Sequence, residues 1–199
     1  MKSVQGKNVL VTGAAMGMGR LFAERAIAEG AAHVVLWDLQ EERLNQTLAE
    51  LADAAAAHGV TLSGFIVDVS DLDDVKVSAD AVRADIGHVD VLVNNAGVVR
   101  GNTYFWESDS TKDTKLTVDV NTLAPMYVAR EFLPGMIANS ADCRVLNLSS
   151  AAGFTPNPRM AVYAASKWAV IGWSDSVRLE LKQAGIAHVM VTTVCPYYV

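Results

Sequence analysis

The sequence contains few cysteines, and their surroundings exclude the sites that cysteines most often build. Only two occur among 199 residues, Cys143 and Cys195. Neither belongs to a C-x-x-C motif or lies near a histidine cluster, so no metal site is expected. Both are predicted to lie in strands, which indicates buried free thiols. Such thiols are typical of a reducing compartment, so we predict a cytoplasmic protein.

The sequence also lacks runs of one charge and long apolar runs. It has 16 basic and 22 acidic residues, a net charge of −6, and no basic cluster, so a nucleic-acid partner is not expected. No uncharged stretch reaches the roughly 20 residues that cross a membrane. Residues 1–7 lack the apolar segment of a signal peptide. With no repeats or linkers either, the sequence predicts a single domain over residues 1–199 and no transmembrane segment.

Apolar runs rich in Val and Leu alternate with amphipathic helical stretches along the whole chain. Such strands between helices indicate a parallel sheet covered on both faces. We therefore predict an α/β fold, a Rossmann-type doubly wound parallel sheet in a three-layer α/β/α arrangement. The predicted strands are 8–12, 33–37, 61–67, 89–93, 144–148 and 187–194. The predicted helices are 21–29, 41–58, 71–86, a long one over 111–137 bent or interrupted at Pro125 and Pro134, and one ending at 184.

A glycine-rich turn follows the first predicted strand. Gly13, Gly17 and Gly19 stand between that strand and the first helix, the context that a dinucleotide-binding fingerprint requires. Gly13 permits the tight turn, Gly17 lets the backbone approach a pyrophosphate, and Gly19 allows close packing of helix and strand. The helix N-terminus offers free amides to the anion. The alternative is a glycine-rich loop or hairpin with no ligand.

An acidic residue ends the second predicted strand. The carboxylate of Asp38 can accept hydrogen bonds from both hydroxyls of an adenosine ribose and repels a 2′-phosphate. No Arg or Lys directly follows it, so the sequence favours NAD over NADP as the cofactor. Alternatively, Asp38 is an N-cap for the helix that begins near Glu41, and the two roles are compatible.

Tyr163 and Lys167 form the candidate catalytic pair. Positions i and i+4 share one face of a helix, so the phenol and the ammonium lie side by side. A neighbouring positive charge favours the phenolate form of a tyrosine and makes it a general acid and base. The pair alone is also compatible with an ordinary solvated helix face. Two hydroxyls, Ser149 and Ser150, end an apolar run shortly before it.

Four separated motifs together resemble the short-chain dehydrogenase/reductase family over nearly the whole chain. Ser150 precedes Tyr163 by 13 positions, the interval that the family uses, which selects Ser150 over Ser149. The motifs are Thr12-Gly13-x-x-x-Gly17-x-Gly19, Asn94-Asn95-Ala96-Gly97, Ser150, and Tyr163-x-x-x-Lys167.

The resemblance implies a catalytic tetrad. Tyr163 exchanges a proton with the substrate oxygen, and Ser150 donates a hydrogen bond to that oxygen as charge develops on it. Lys167 favours the phenolate and holds the nicotinamide ribose. Asn121 positions, through its backbone carbonyl, a water that links Lys167 to solvent. Alternatively, Asn121 is a helix-kink residue ahead of Pro125, and Ser150 a cap at the end of its strand.

The resemblance also assigns positions to the cofactor. Asp68 accepts from the adenine amino group, and the segment from Asn95 to Gly97 passes the adenosine ribose and ties the fourth strand to its neighbours. Met16 and Met18 flank the pyrophosphate loop, where packing is the preferred interpretation of both. The full set of cofactor-binding candidates is Gly13, Met16, Gly17, Met18, Gly19, Asp38, Asp68, Val69, Asn95, Ala96, Gly97, Tyr163, Lys167 and Pro196.

The expected reaction is hydride transfer between NAD(H) and an alcohol or its ketone or aldehyde. The strand end Trp37-Asp38 and the bulky residue after Pro196 resemble the retinol and long-chain alcohol branch, which implies a lipophilic substrate. Family members usually continue into a seventh strand and a substrate lid. Because the chain stops at Val199, both are expected to be absent.

Two other functions compete with this prediction. A non-catalytic dinucleotide-binding or interaction module is favoured only by the early end of the chain. A serine hydrolase lacks support, because no Gly-x-Ser-x-Gly motif surrounds Ser150.

A homodimer or homotetramer is expected, because two helical segments carry more apolar residues than one core-facing stripe needs. In relatives the equivalent helices pair across a two-fold axis. The surplus residues are Met126, Tyr127, Trp168 and Trp173.

Overall fold

Six strands form one parallel sheet in the order β3-β2-β1-β4-β5-β6. The computed structural model describes residues 1–197; positions 198 and 199 of the predicted domain lie outside the described residues. The reversal of strand order at β1 and β4 is the topological switch point at which α/β sheets bind ligands. The strands are β1 Asn8–Thr12, β2 His33–Asp38, β3 Thr61–Ile66, β4 Val91–Asn94, β5 Cys143–Leu148 and β6 Val189–Val194.

Helices connect the strands. Asp71 caps α3, because its side chain accepts hydrogen bonds from the backbone N–H groups of Asp73 and Asp74. Short 3₁₀ turns cover Phe105–Glu107 and Ala151–Gly153, and π-helical segments cover Ser110–Lys115 and Asp119–Leu123. The helices are α1 Gly17–Ala28, α2 Glu41–Ala57, α3 Leu72–Ile86, α4 Leu116–Val118, α5 Ala124–Ala138 and α6 Ala161–Gln183.

Two apolar clusters, one on each face of the sheet, form the core. Successive strand residues point to opposite faces, so Leu10 packs with α3, α5 and α6, whereas Val9 and Val11 pack with α1 and α2. Val34 and Val35 divide between the clusters in the same way. This confirms the predicted α/β/α layering and explains why the central strands carry apolar residues on both faces.

Most predicted boundaries agree with the observed ones to within about two residues, and two larger differences concern the helices. Helix α1 begins at Gly17, four residues earlier than predicted, so the glycine-rich turn is already part of the helix. The long helix is not broken by its prolines: Pro125 lies in the first turn of α5, and Pro134 lies within it. The backbone departs from α geometry instead at the two π-helical segments before α5. Pro125 fits the first turn because its N–H is not needed there.

Two further observations concern the described chain as a whole. Within residues 1–197, no helix has the length and apolar character needed to cross a membrane. No group of three or more His, Cys, Asp or Glu side chains in that range is arranged to hold a metal ion. Cys143 is buried in β5, but Cys195 lies just after β6 and is only partly buried, which corrects its predicted place in a strand.

Candidate active site

The glycine-rich turn brings the backbone of β1 and α1 into direct contact. Gly13 and Gly17 have φ values of 63° and 56°, in the left-handed region that favours glycine. A Cβ atom on Gly19 would lie 2.0 Å from the carbonyl oxygen of Gly13, so no larger residue fits there. At Gly17 an added Cβ would meet no atom within 4 Å, so this side of the turn is open. The turn therefore fits a dinucleotide pyrophosphate at the N-terminus of α1.

Hydrogen bonds tie the end of β4 to this turn. The Asn95 side-chain amide donates to the carbonyls of Thr12 and Gly13, both at 3.0 Å. The Thr12 hydroxyl accepts from the backbone N–H groups of Asn95 and Ala96, both at 3.1 Å. The predicted link between the fourth strand and its neighbours is therefore present. Thr12 belongs to the glycine motif, but no role was predicted for it. Its position at the end of a buried strand was the feature of the sequence that indicated this contact.

Asp38 lies at the carboxyl end of β2 and is 8% exposed. One carboxylate oxygen accepts from the backbone N–H of Ala15 at 3.0 Å, and the other accepts from that of Gln40 at 2.9 Å. The N-cap residue of α2 is Gln40, so the N-cap interpretation of Asp38 is wrong. The carboxylate instead fixes the glycine-rich turn. It can still accept further hydrogen bonds, because a carboxylate offers about four lone-pair sites.

The remaining cofactor candidates follow the ends of β3 and β4. The Asp68 carboxylate accepts from the backbone N–H and the hydroxyl of Ser70, and Val69 beside it is buried. A Cβ atom on Gly97 would lie 3.3 Å from Asn121 Oδ1 and 3.5 Å from Lys167 Nζ. Gly97 therefore lets the segment after β4 pass close to two predicted catalytic residues.

Helix α6 carries Tyr163 and Lys167 on one side, as predicted. The Lys167 amine lies 5.7 Å from the centre of the Tyr163 ring and donates to the carbonyl of Leu148 at 2.9 Å. Lys167 is 5% exposed, and this burial lowers its pKa from 10.5 to about 8. The nearby Cys195 thiol acts in the opposite direction on that pKa.

Ser150 and Tyr163 line the same cavity, which has a volume of about 320 Å³. The Ser150 hydroxyl accepts from the backbone N–H of Ala152 at 3.2 Å, so it caps the 3₁₀ turn after β5, close to the predicted strand-cap role. Met18 faces this cavity, whereas Met16 is exposed and lies near the side chains of Gln40 and Arg43. The lining residues are Met18, Val99, Ser149, Ser150, Ala151, Ala152, Thr155, Asn157, Met160, Tyr163, Pro196 and Tyr197.

Asn121 is buried within the second π-helical segment. Its side-chain oxygen accepts from the backbone N–H of Val98 at 2.8 Å, and its amide donates to the Val98 carbonyl at 2.8 Å. The amide also donates to the Ser166 hydroxyl at 3.2 Å. The side chain therefore joins the loop after β4 to α6. Its place in a π-helical segment agrees with the alternative prediction that Asn121 lies at an irregularity of the helix.

Comparison with known proteins identifies the family. Residues 7–199 match the family model described as short chain dehydrogenase. The chain belongs to the short-chain dehydrogenase family. Human estradiol 17-beta-dehydrogenase 11 is 37% identical over the whole chain, which covers 63% of that protein. Mouse epidermal retinol dehydrogenase 2 is also 37% identical, with 62% of its length covered. This short-chain dehydrogenase chain thus spans less than two thirds of these relatives.

Solved structures of short-chain dehydrogenases share the fold. A short chain dehydrogenase/reductase from Burkholderia phymatum in complex with NAD superposes with a TM-score of 0.91 at 34% identity, covering all of this chain and 68% of the other. A metagenomic short-chain oxidoreductase in complex with NADP gives a TM-score of 0.86 at 34% identity, covering 98% and 84% of the two chains.

One residue of this short-chain dehydrogenase site, Ser149, had no predicted role. Ser149 was set aside in favour of Ser150 because of its spacing from Tyr163. Its hydroxyl donates to the backbone carbonyl of Lys167 at 2.8 Å. This hydrogen bond joins residues 18 positions apart in the chain. The only feature of the sequence that pointed to it was a second hydroxyl residue beside Ser150.

Proposed function

We propose that the protein is a nicotinamide-dinucleotide-dependent oxidoreductase that interconverts an alcohol with its ketone or aldehyde. The observation that carries this proposal is that Ser150 and Tyr163 line one cavity while the Lys167 amine lies 5.7 Å from the Tyr163 ring. An acid/base hydroxyl, a second hydroxyl and a buried cation are the groups that carbonyl–alcohol interconversion needs. Family membership supports the same reaction class.

Each side chain then has a part in the reaction. When bound, the nicotinamide ring accepts or supplies the hydride. Tyr163 takes the proton from the alcohol or returns it to the carbonyl oxygen, and Ser150 donates a hydrogen bond to that oxygen. Lys167 would hold the nicotinamide ribose, and its amine lies 5.7 Å from the centre of the Tyr163 ring. The side chain of Asn121 holds the loop after β4 against α6, and its backbone carbonyl positions the water next to Lys167.

The proposed cofactor is NAD rather than NADP. The glycine-rich turn would hold its pyrophosphate, and Asp38 would accept hydrogen bonds from its adenosine ribose. The buried carboxylate supports this preference, because a 2′-phosphate next to it would place two negative charges together. Asp68 and Val69 would contact its adenine, Asn95, Ala96 and Gly97 would pass its adenosine ribose, and Pro196 would lie beside its nicotinamide.

The proposed substrate is a lipophilic alcohol. The cavity beside Ser150 is lined largely by apolar groups, including Met18, Val99 and Met160. Such a lining favours an apolar substrate body next to a few well-placed polar groups. The names of the two curated relatives, an estradiol and a retinol dehydrogenase, are in keeping with this substrate class.

Residues 1–199 are proposed to form a single dinucleotide-binding domain of a homodimer or homotetramer in the cytoplasm. The two free thiols, Cys143 and Cys195, suit a reducing compartment. The exposed side chain of Trp168 on α6 supports assembly through that helix.

The test of the proposed function is turnover of an alcohol panel with NAD by the wild type and by Tyr163→Phe. We expect Tyr163→Phe to lower kcat/KM by about 10²- to 10⁴-fold, because it removes the proton donor and acceptor. Tyr127→Phe, a half-buried tyrosine on α5, is the matched control and is expected to keep wild-type activity.

Binding of NAD without turnover of any alcohol or carbonyl compound by the wild type would refute the enzymatic proposal. The chain would then act as a dinucleotide-binding module. Calorimetric titration with NAD distinguishes that result from a failure to bind the cofactor.

A further inference from the structure

Ser149 joins the end of β5 to the helix that carries Tyr163 and Lys167. Its hydroxyl donates to the Lys167 carbonyl at 2.8 Å, and its side chain is buried. The carbonyl of the preceding residue, Leu148, accepts from the Lys167 amine at 2.9 Å. Two consecutive residues at the end of β5 therefore hold the backbone and the side-chain amine of the same lysine.

Gly153 allows this approach. A Cβ atom there would lie 2.6 Å from Ile171 Cδ1, 3.0 Å from Ser149 Oγ and 3.1 Å from the Lys167 carbonyl oxygen. A contact at 3.1 Å is tighter than most real Cβ contacts, so even an alanine would press on the helix backbone. Helix α6 therefore packs directly against the turn that follows Ser150.

We propose that Ser149 is a positioning residue that holds α6 where Lys167 and Tyr163 meet Ser150. The inference rests on the proposed function, because it assigns Ser149 a part in the same catalytic site. Ser150 lies in the turn that follows β5, whereas Tyr163 and Lys167 belong to α6. Their relative placement depends on the contacts between these two elements, and Ser149 makes a hydrogen bond between them at Lys167 itself.

On this proposal, the Ser149 hydrogen bond also keeps the Lys167 amine, which is 5% exposed, away from water. The ionisable groups near this amine among the described residues are the Tyr163 phenol and the Cys195 thiol. Burial is the main cause of the lowered pKa of Lys167, so separation of α6 from β5 would admit water and raise that pKa. A shift of about 1 Å in a catalytic group can lower the rate up to about 10²-fold.

The experiment compares Ser149→Ala with the matched control Ser78→Ala. Ser78 is also a buried serine with a hydrogen bond, to Asp74 Oδ1 at 3.3 Å, but it lies on α3. The Lys167 titration is followed by NMR of protein labelled with ¹³C-lysine, and Lys167→Arg identifies the signal. Steady-state kinetics with NAD and an alcohol give kcat and both KM values.

For Ser149→Ala we expect the Lys167 pKa to rise from about 8 towards 10.5. We also expect kcat to fall about 10-fold, with the KM for NAD within about twofold of wild type. Ser78→Ala is expected to leave both quantities unchanged. If Ser149→Ala does not fold, Ser149→Cys, which keeps most of the volume with a weaker donor, should show the same changes to a smaller degree.

The inference is overturned if Ser149→Ala and Ser78→Ala have the same Lys167 pKa, or if the pKa shifts while an active enzyme keeps its kcat. The titration needs no turnover. An inactive wild type with a Ser149-dependent Lys167 pKa therefore refutes the proposed function, and the catalytic part of this inference with it, while it shows that the contact holds the helix.

Discussion

Asp38 combines a structural contact with the proposed choice of cofactor. Its carboxylate accepts from the backbone N–H groups of Ala15 and Gln40, so substitution affects the glycine-rich turn as well as the ribose site. We expect Asp38→Ala to weaken NAD binding about 10-fold or more, because a charged hydrogen bond is worth about 1.5–3 kcal/mol. NADP binding should improve, because the repulsion of the 2′-phosphate disappears.

Calorimetric titration of both cofactors measures these changes in affinity. Asp53→Ala, which replaces an exposed carboxylate on α2, controls for the loss of net charge. Equal weakening of NAD and NADP by Asp38→Ala would show that the carboxylate acts only on the turn.

Lys167 links the candidate active site to the stability of the protein. Its pKa is about 8 in the folded chain and 10.5 in a free lysine. Between these pH values the unfolded chain holds the proton and the folded chain has released it, so the unfolding free energy rises with pH. The contribution of Lys167 amounts to about 3 kcal/mol over this range.

Urea unfolding at pH 7.5 and pH 10 tests this linkage. The increase in unfolding free energy with pH should be smaller in Lys167→Met than in the wild type, because the titrating amine is gone. Other groups that titrate in this range are shared by both proteins and cancel in the comparison. Parallel pH dependences of the two proteins would contradict the prediction.

Single residues with a local signature were predictable from the sequence. Gly13 and Gly19 follow from strand–turn–helix geometry, and Lys167 follows from its spacing after Tyr163. The contacts of Ser149 and Thr12 were not predictable in this way, because their hydrogen bonds join distant parts of the chain. Such contacts depend on how elements pack, which spacing alone does not specify.

A chain of buried side-chain hydrogen bonds joins β4, β5 and α6. Asn94 donates to Asn147 Oδ1 at 2.9 Å, and the Asn147 amide donates to the Ser174 hydroxyl at 2.9 Å. Asn147 and Ser174 are fully buried. Ser174 follows Lys167 by seven positions, two helical turns on the same side of α6. The chain of bonds therefore supports the face of α6 that carries Lys167.

We expect Asn147→Ala to lower the unfolding free energy by about 2–4 kcal/mol, because it leaves buried polar partners unsatisfied and opens a cavity. Asn45→Ala, at an exposed position of α2, is the control and should change stability by less than about 0.5 kcal/mol. Denaturant unfolding measures both values. Equal, small losses in the two variants would show that the hydrogen-bonded chain does not stabilise the fold.

The elements were predictable in type and order, and less so in their internal geometry. The apolar strands and the helix stop signals at Gly30 and Gly59 located most of them. The π-helical segments before α5 were not predicted, and the irregularity was assigned to Pro125 and Pro134 instead. The side chain of Asn121, which lies in the second π-helical segment, makes hydrogen bonds to the backbone of Val98. This contact joins residues that are far apart in the sequence.

At the scale of the whole molecule, the open prediction is self-association through α5 and α6. Of the residues that suggested it, Tyr127 and Trp173 pack partly against the core, whereas Trp168 is 52% exposed. Sedimentation at micromolar concentration should show at least a dimer. Trp168→Glu should convert the dimer to a monomer, since burial of the introduced charge in the interface is unfavourable.

Val77→Glu is the control, because it places the same charge at an exposed position of α3. It should leave the assembly unchanged. A monomeric wild type at this concentration would refute the prediction of a dimer.

The doubly wound parallel sheet, predicted from the alternation of apolar strands and helices, is confirmed by the structure. The walls of the cavity beside Ser150 come from positions as far apart as Met18 and Tyr197. Nearly the full described length must therefore be in place before a substrate can be enclosed. Recovery of turnover during refolding should consequently mark the last step of assembly, after the sheet and its helices have already formed.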